Sequence, residues 1–144
     1  MGRRRFSLRH SIGDPCLKSD TRIFVAEADT ATPLSTAFKV GGVPKEVPYT
    51  PSFIDGAGAP WIFPEMWDLA KQLVDGSLVV SLKEVVDAIR LLAERNCLVA
   101  EGAGAVSLAV ALSGKAGRGK VACIVSGGNI DPSKLVKILQ GQIP

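Results

Sequence analysis

Short apolar runs alternate along this chain with longer segments whose apolar residues recur at helical spacing. Residues 23–26 and 121–125 form apolar runs that predict buried strands, of which the last is the clearest. Residues 78–80 predict a short strand or an apolar connector. Helical periodicity covers residues 27–38, 63–74, 81–95 and 105–112 and a final segment from residue 131 onward. Because strands that alternate with helices build layered domains, the pattern predicts an α/β fold with a parallel sheet.

Individual residues indicate where the predicted helices start. Ser81 and Glu84 have the spacing of a capping box, in which a hydroxyl and a carboxylate bind reciprocal backbone N–H groups. Asp29 or Thr30 is the expected cap of the first helix. Residues 41–60 are rich in glycine and proline, which predicts a loop between the first two helices.

Further predictions concern which side chains face the core. In the last helix, Leu135, Val136 and Leu139 are expected to point inward. Cys97 and Cys123 lie in apolar runs, where a reduced cysteine usually acts as a small core residue. Three cysteines and one histidine without CxxC spacing do not form a zinc motif, so a reducing cytoplasm is the expected compartment.

The formal charge of +3 over 144 residues lies entirely at the N-terminal end. Residues 1–20 carry five basic and two acidic side chains, whereas the remainder carries twelve of each. This separates a basic leader (residues 1–20), expected to be poorly ordered, from a neutral body (residues 21–144). The leader's arginines could add salt-dependent contact with nucleic acid, although the neutral body offers no second basic stripe. No apolar run approaches the roughly 20 residues of a membrane span.

Two glycine-containing motifs carry the candidate chemistry. Ser126, Gly127 and Gly128 follow the last predicted strand, and in parallel sheets ligands bind beyond the carboxyl ends of the strands. Two glycines let a planar ligand approach the backbone closely, and Ser126 offers a hydroxyl. Glu101 precedes Gly102-Ala103-Gly104, where missing side chains allow close packing against the backbone. Spacing alone favours an ordinary strand-to-helix turn at residues 126–128 over a binding loop. For Glu101, it favours a stabilising charge at a helix start over a binding role.

Taken together, these motifs resemble those of the threonine and serine dehydratases. The matching segments are Val-Ala-Glu-Gly-Ala-Gly-Ala at residues 99–105 and Ile-Val-Ser-Gly-Gly-Asn-Ile-Asp at residues 124–131, with further agreement at residues 21–27, 55–56 and 78–96. These dehydratases belong to the tryptophan-synthase-β-like (fold type II) enzymes, which use pyridoxal phosphate. The resemblance covers residues 21–144 and implies the C-terminal part of such a domain, with substrates of the serine and threonine class.

The resemblance implies roles for four residues at the cofactor. Ser126 is similar to the family serine whose hydroxyl meets the pyridine nitrogen, and Gly127 follows it. Glu101 is similar to a family carboxylate near the cofactor ring, and Gly56 to a loop glycine at the cofactor's edge. A neutral hydroxyl does not force the ring nitrogen to be protonated, so the cofactor is a weaker electron sink, which favours prompt elimination.

The resemblance also implies a divalent-cation site near the start of the neutral body. Glu27 is similar to a carboxylate ligand, and Ala31 to a residue that gives its backbone oxygen. The third family ligand is an acid two residues beyond the alanine, where this chain has Pro33. Proline has no carboxylate, so the implied site lacks one ligand.

Two family features are missing from the sequence. The family forms a Schiff base to a lysine near its N-terminal end and grips the cofactor phosphate with a glycine-rich loop. None of the nine lysines lies in a Ser-x-Lys-x-Arg-Gly setting, and the longest glycine runs are pairs. We therefore expect a truncated or split dehydratase-like protein that is inactive alone.

Several other functions stay open at this point. A non-catalytic half-domain would complete a site with an N-terminal half encoded elsewhere, and an amino-acid-binding module would need no reaction. Contact with nucleic acid through the basic leader is a minor alternative. The family commonly assembles as dimers or tetramers, so the resemblance also implies a homo-oligomer.

Overall fold

The computed structural model describes residues 21–44 and 46–144, so the predicted basic leader lies outside the described residues. The regular elements are β1 (Phe24–Ala28), α1 (Pro33–Val40), α2 (Pro64–Leu73), β2 (Gly76–Val80), α3 (Leu82–Asn96), α4 (Gly102–Leu112) and α5 (Pro132–Leu139). Among these residues, no helix is both long and apolar enough to cross a membrane.

The two strands pair in parallel, in register from Phe24 opposite Gly76 to Ala28 opposite Val80. Successive side chains of a strand point to opposite faces of its sheet. Val25 therefore packs with α1 and α2, while Ala28 packs with α3, α4 and α5. Helices on both faces of a parallel pair confirm the predicted α/β layered fold.

The larger core lies between α3 and α4. The predicted capping box at the start of α3 is present: Ser81 Oγ accepts the Glu84 N–H at 3.3 Å, and Glu84 Oε2 accepts the Ser81 N–H at 2.7 Å. Behind this cap, apolar side chains at helical spacing are buried in α3, namely Val85, Val86, Ala88, Ile89 and Leu92. They share one core with the buried alanines and valines of α4, so α3 fixes the position of the α4 start.

Helix α1 begins at Pro33, so the prediction of a helix start at Asp29 or Thr30 is wrong. β1 continues through Glu27 because that residue is paired with β2, and the chain turns before it becomes helical. Proline suits the first helical position, where its missing N–H would have no partner in the helix. Thr32 is the N-cap residue, but its side chain makes no capping hydrogen bond.

The apolar run at residues 121–125 is neither a strand nor buried, which corrects the prediction of the clearest buried strand. Val121, Ile124 and Val125 are 50%, 46% and 38% exposed. A strand exists only where a neighbouring strand accepts and donates its backbone hydrogen bonds. Within the described part of the chain, the sheet contains only β1 and β2, and no residue from 119 to 126 makes a backbone–backbone hydrogen bond.

The inward face of α5 differs from the prediction. Ile138 is fully buried, and Leu135, three residues earlier, packs against the core on the same face. Val136 and Leu139 are exposed, so their predicted inward position is wrong. Leu135 and Ile138 are three residues apart, as are Val136 and Leu139, so each pair shares one face of the helix. Both faces are apolar, and the sequence pattern alone did not indicate which one is buried.

The two described cysteines are less buried than expected. Cys97 is exposed and ends α3 in the left-handed conformation, with φ of 52°. Cys123 is half-buried, and its Sγ lies 3.6 Å from the Ser107 carbonyl oxygen. Cys97 is therefore a helix terminus and not a core residue.

Candidate cofactor site

The first turn of α4 carries a buried carboxylate. Glu101 is the N-cap residue of α4 and is only 5% exposed, yet its side chain makes no capping hydrogen bond to this helix. The carboxylate instead turns to residues 126–129, the serine loop, where Oε2 accepts the Asn129 N–H at 3.2 Å. The Glu101 N–H donates to the Gly127 carbonyl oxygen at 3.0 Å. The backbone and the side chain of Glu101 thus each hold one residue of the serine loop, Gly127 and Asn129 respectively.

The two predicted motifs pack against each other at positions where each has a glycine. Gly127 has a φ of +78°, and a Cβ added to it would lie 2.5 Å from Glu101 Cδ. A Cβ added to Gly104 would lie only 1.7 Å from the Ser126 carbonyl oxygen. Any side chain at either position would separate α4 from the serine loop. The close packing expected at Gly102-Ala103-Gly104 is present, and its partner is the chain itself.

A second loop contacts the same turn of α4. A Cβ added to Gly102 would lie 3.0 Å from Phe53 Cδ2 and 3.1 Å from Ile54 Cα. Phe53 and Ile54 are buried, and Gly56 follows them in a half-buried turn. The structure therefore brings the segment of Gly56 to the helix start that also holds the serine loop.

Helix α4 also holds the segment that leads into the serine loop. Ser107 Oγ donates to the Ile124 carbonyl oxygen at 2.7 Å, and Cys123 Sγ donates to the Ser107 carbonyl oxygen. Burial raises the pKa of the Cys123 thiol. Ser126 itself is exposed, and its hydroxyl makes no hydrogen bond to any other described residue. The Ser126 hydroxyl is thus exposed on the surface of a loop whose backbone is hydrogen-bonded to Glu101 on its buried side.

The predicted cation ligands lie elsewhere, on the sheet face that packs against α1. Glu27 Oε1 accepts the Leu34 N–H at 2.9 Å, and Oε2 accepts the Ser35 N–H at 2.8 Å and the Ser77 hydroxyl at 2.6 Å. Ala31 is buried beside the start of α1. In residues 21–44 and 46–144, no group of three or more His, Cys, Asp or Glu side chains is placed to hold a metal ion.

The structure thus brings Glu101, Ser126 and Gly127 together and places the Gly56 segment on the same helix start. Sequence reasoning missed the part that Phe53 and Ile54 play there. The available signal was an apolar pair inside a loop otherwise rich in glycine and proline, because such a pair needs a surface to pack against.

Comparison with known proteins identifies the family of the chain. The profile of the pyridoxal-phosphate dependent enzyme family matches residues 7–127. The chain belongs to this family. Membership of this family confirms pyridoxal phosphate as the cofactor that the resemblance implied. The matched range begins at residue 7, inside the basic leader of residues 1–20.

This pyridoxal-phosphate dependent family member is 43% identical over 74 residues to L-threonine ammonia-lyase of Thermotoga maritima, covering 51% of this chain and 18% of the relative. Its fold is similar to threonine deaminase from T.th., with a TM-score of 0.73 and 28% identity over 80% of this chain and 42% of that one. Maize serine racemase gives a TM-score of 0.71 and 31% identity, over 83% of this chain and 38% of that one. The matches thus span about a fifth of the curated relative and about two fifths of the solved structures.

Proposed function

We propose that this chain forms the ring-binding side of the cofactor site in a lyase of the threonine/serine dehydratase type. The reaction expected of the assembled site removes the β-hydroxyl of a hydroxy-amino acid and yields a 2-oxo acid and ammonia. Pyridoxal phosphate, when bound, supplies the electron sink for this chemistry. The names of the Thermotoga maritima relative and of the T.th. deaminase support the substrate class, since both act on threonine.

The observation that carries the proposal is the outward Ser126 hydroxyl on a loop that Glu101 holds from behind. The Ser126 hydroxyl binds the pyridine nitrogen and stays neutral, as the resemblance implies. Gly127 has positive φ, and its missing side chain leaves room for the Glu101 carboxylate, which supports the loop backbone beside Ser126 on which the ring would lie. Glu101 orients the loop through the hydrogen bond from the Asn129 N–H. Gly56 lies at the cofactor's edge, in the loop that also packs on α4.

The lysine and the phosphate-binding loop of the assembled site come, in this proposal, from a polypeptide segment other than residues 21–144. Several described lysines are engaged in ion pairs with acidic side chains: Lys71 with Asp68, Lys83 with Asp87, Lys115 with Glu84 and Lys134 with Asp55. The coverage of about two fifths of the solved structures fits a site built by more than these residues. The chain alone is therefore expected to be inactive.

The first experiment mixes the purified full chain with pyridoxal phosphate and L-threonine and measures 2-oxobutyrate. The expected rate equals that of cofactor without protein, because the group that would abstract the α-proton is missing. Turnover well above the cofactor-only rate would refute the inactivity of the isolated chain.

The second experiment co-expresses the full chain with the N-terminal half of a threonine ammonia-lyase and records the visible absorption band of bound cofactor. The band is expected with the wild-type chain and is expected to be weakened or shifted by Ser126→Ala. Ser133→Ala, which changes an exposed serine in the first turn of α5, outside the serine loop, is the matched control. If Ser126→Ala and Ser133→Ala changed the absorption band equally, the proposed contact of Ser126 with the cofactor would be refuted.

A second candidate function is a non-catalytic half-domain, and the apolar residues 121–125, four of which are exposed, support it as well. Contiguous exposed apolar surface of this kind marks an interface with another polypeptide. In this function, the chain captures the N-terminal half and amino acids bind without reaction. Equilibrium dialysis of the co-expressed complex with L-serine and L-threonine distinguishes the two functions, because binding with no 2-oxo acid supports the second.

A further inference from the structure

Glu27 accepts its hydrogen bonds at a point where β1, β2 and α1 meet. Its two carboxylate oxygens receive the Leu34 and Ser35 N–H groups of α1 and the Ser77 hydroxyl of β2. The three donor–acceptor distances lie between 2.6 and 2.9 Å, which is typical of strong hydrogen bonds to a charged acceptor. One side chain thus connects the sheet to the helix that covers it.

The helix start explains why a carboxylate from outside the helix is needed. The first N–H groups of a helix have no partner within it, and an N-cap side chain normally accepts from the second or the third of them. Pro33 occupies the first position, so Leu34 and Ser35 hold the second and third, and Thr32 provides no side-chain cap. Glu27 accepts from the same two N–H groups that an N-cap side chain would use.

We propose that Glu27 is a cation-independent anchor of α1 and that the divalent-cation site implied by the family resemblance does not form in this chain. The residues do not fit a cation: the donors around Glu27 already point their positive ends at both of its oxygens. The start of a helix itself carries roughly half a positive charge, which repels a cation from the same place. Pro33, at the position of the third ligand, offers no carboxylate.

The first test measures thermal unfolding of the full chain in EDTA, in MgCl2 and in CaCl2, with NaCl matched for ionic strength as the control. The midpoint is expected to be the same in all four solutions, because no site gains a ligand on folding. Manganese binding, followed by the electron paramagnetic resonance of free Mn²⁺, is expected to show no saturable site. A saturable rise of the midpoint with Mg²⁺ or Ca²⁺ that Glu27→Gln abolishes would overturn the proposal.

The second test asks whether Glu27 anchors α1. Glu27→Ala is expected to lower the unfolding midpoint by at least roughly 2–4 °C, and Glu27→Gln by less, because its amide oxygen still accepts. Glu46→Gln, an exposed loop residue, is the matched control and is expected to leave the midpoint unchanged. Thr32→Asp in the Glu27→Ala background supplies a carboxylate at the N-cap and is expected to recover part of the loss.

An unchanged midpoint in Glu27→Ala would refute the anchoring role. Neither test involves pyridoxal phosphate or turnover. The cation-independent anchor can therefore fail while the proposed lyase function stands, and the reverse also holds.

Discussion

Replacing Gly104 with alanine tests how closely α4 packs against the serine loop. The new Cβ would lie 1.7 Å from the Ser126 carbonyl oxygen and 2.8 Å from its carbonyl carbon. The oxygen would have to retreat by about 1.7 Å to reach ordinary van der Waals distance. Both neighbours are backbone atoms, and Glu101 holds the adjacent residues of the loop, so no flexible side chain can absorb the change.

The expected cost follows from two opposing effects. Alanine is preferred over glycine inside a helix by about 1 kcal/mol. Overpacking of a well-packed site typically costs about 1–3 kcal/mol, and a clash with fixed backbone belongs at the upper end of that range. We therefore expect Gly104→Ala to lower the free energy of unfolding by about 1–2 kcal/mol, despite the gain in helix propensity.

Urea denaturation of the full chain, followed by circular dichroism, measures this change as a lower midpoint at constant slope. Gly102→Ala is an internal comparison, because its Cβ would meet Phe53 and Ile54 at 3.0–3.1 Å and should cost less. Gly42→Ala is the control, since nothing lies within 4 Å of its added Cβ. The reasoning would be refuted if Gly104→Ala were as stable as wild type or more stable than Gly102→Ala.

Other substitutions test the packing and electrostatics of the helices. The backbone N–H of Ser81 holds the pKa of Glu84 below its usual value. The ionised Glu84 carboxylate therefore contributes its full stabilisation of the folded state above about pH 4.3. This stabilisation is lost as the pH falls through the lower folded-state pKa. Glu84→Gln should accordingly flatten the acid limb of stability measured against pH. Ile138→Ala should cost about 2–5 kcal/mol by emptying a buried site, whereas Val136→Ala on the exposed face of α5 should stay within about 0.5 kcal/mol of wild type in the same urea titration. Cys97→Gly should raise the free energy of unfolding by up to about 1 kcal/mol, because glycine adopts the left-handed conformation at this helix end without steric cost; an unchanged or lower value would contradict this.

Features set by nearby residues were predictable from the sequence. The capping box of Ser81 and Glu84 and the helix behind it depend on residues three or four positions apart, and both are present. The close approach at Gly104 was predictable in kind, because only missing side chains permit it. The identity of the packing partner was not predictable, since Ser126 is 22 residues away along the chain.

Features set by distant residues were not predictable. Residues 121–125 have the composition of a buried strand, but burial depends on a neighbouring strand that no local pattern reveals. The start of α1 depends on Glu27, whose carboxylate reaches the helix from a strand paired with β2. The orientation of α5 depends on which of two adjacent faces meets α3, so Ile138 took the place expected for Val136 and Leu139.

The exposed residues 121–125 also affect how the protein behaves at high concentration. Their sequence, Val-Ala-Cys-Ile-Val, is uncharged, free of proline and rich in β-branched side chains, which is the composition of segments that stack into intermolecular β-structure. Arg118 and Lys120 precede this segment closely, and we expect them to oppose stacking, because two copies brought together would place like charges side by side. Salt screens such charges, so we expect concentrated salt to weaken this protection against self-association.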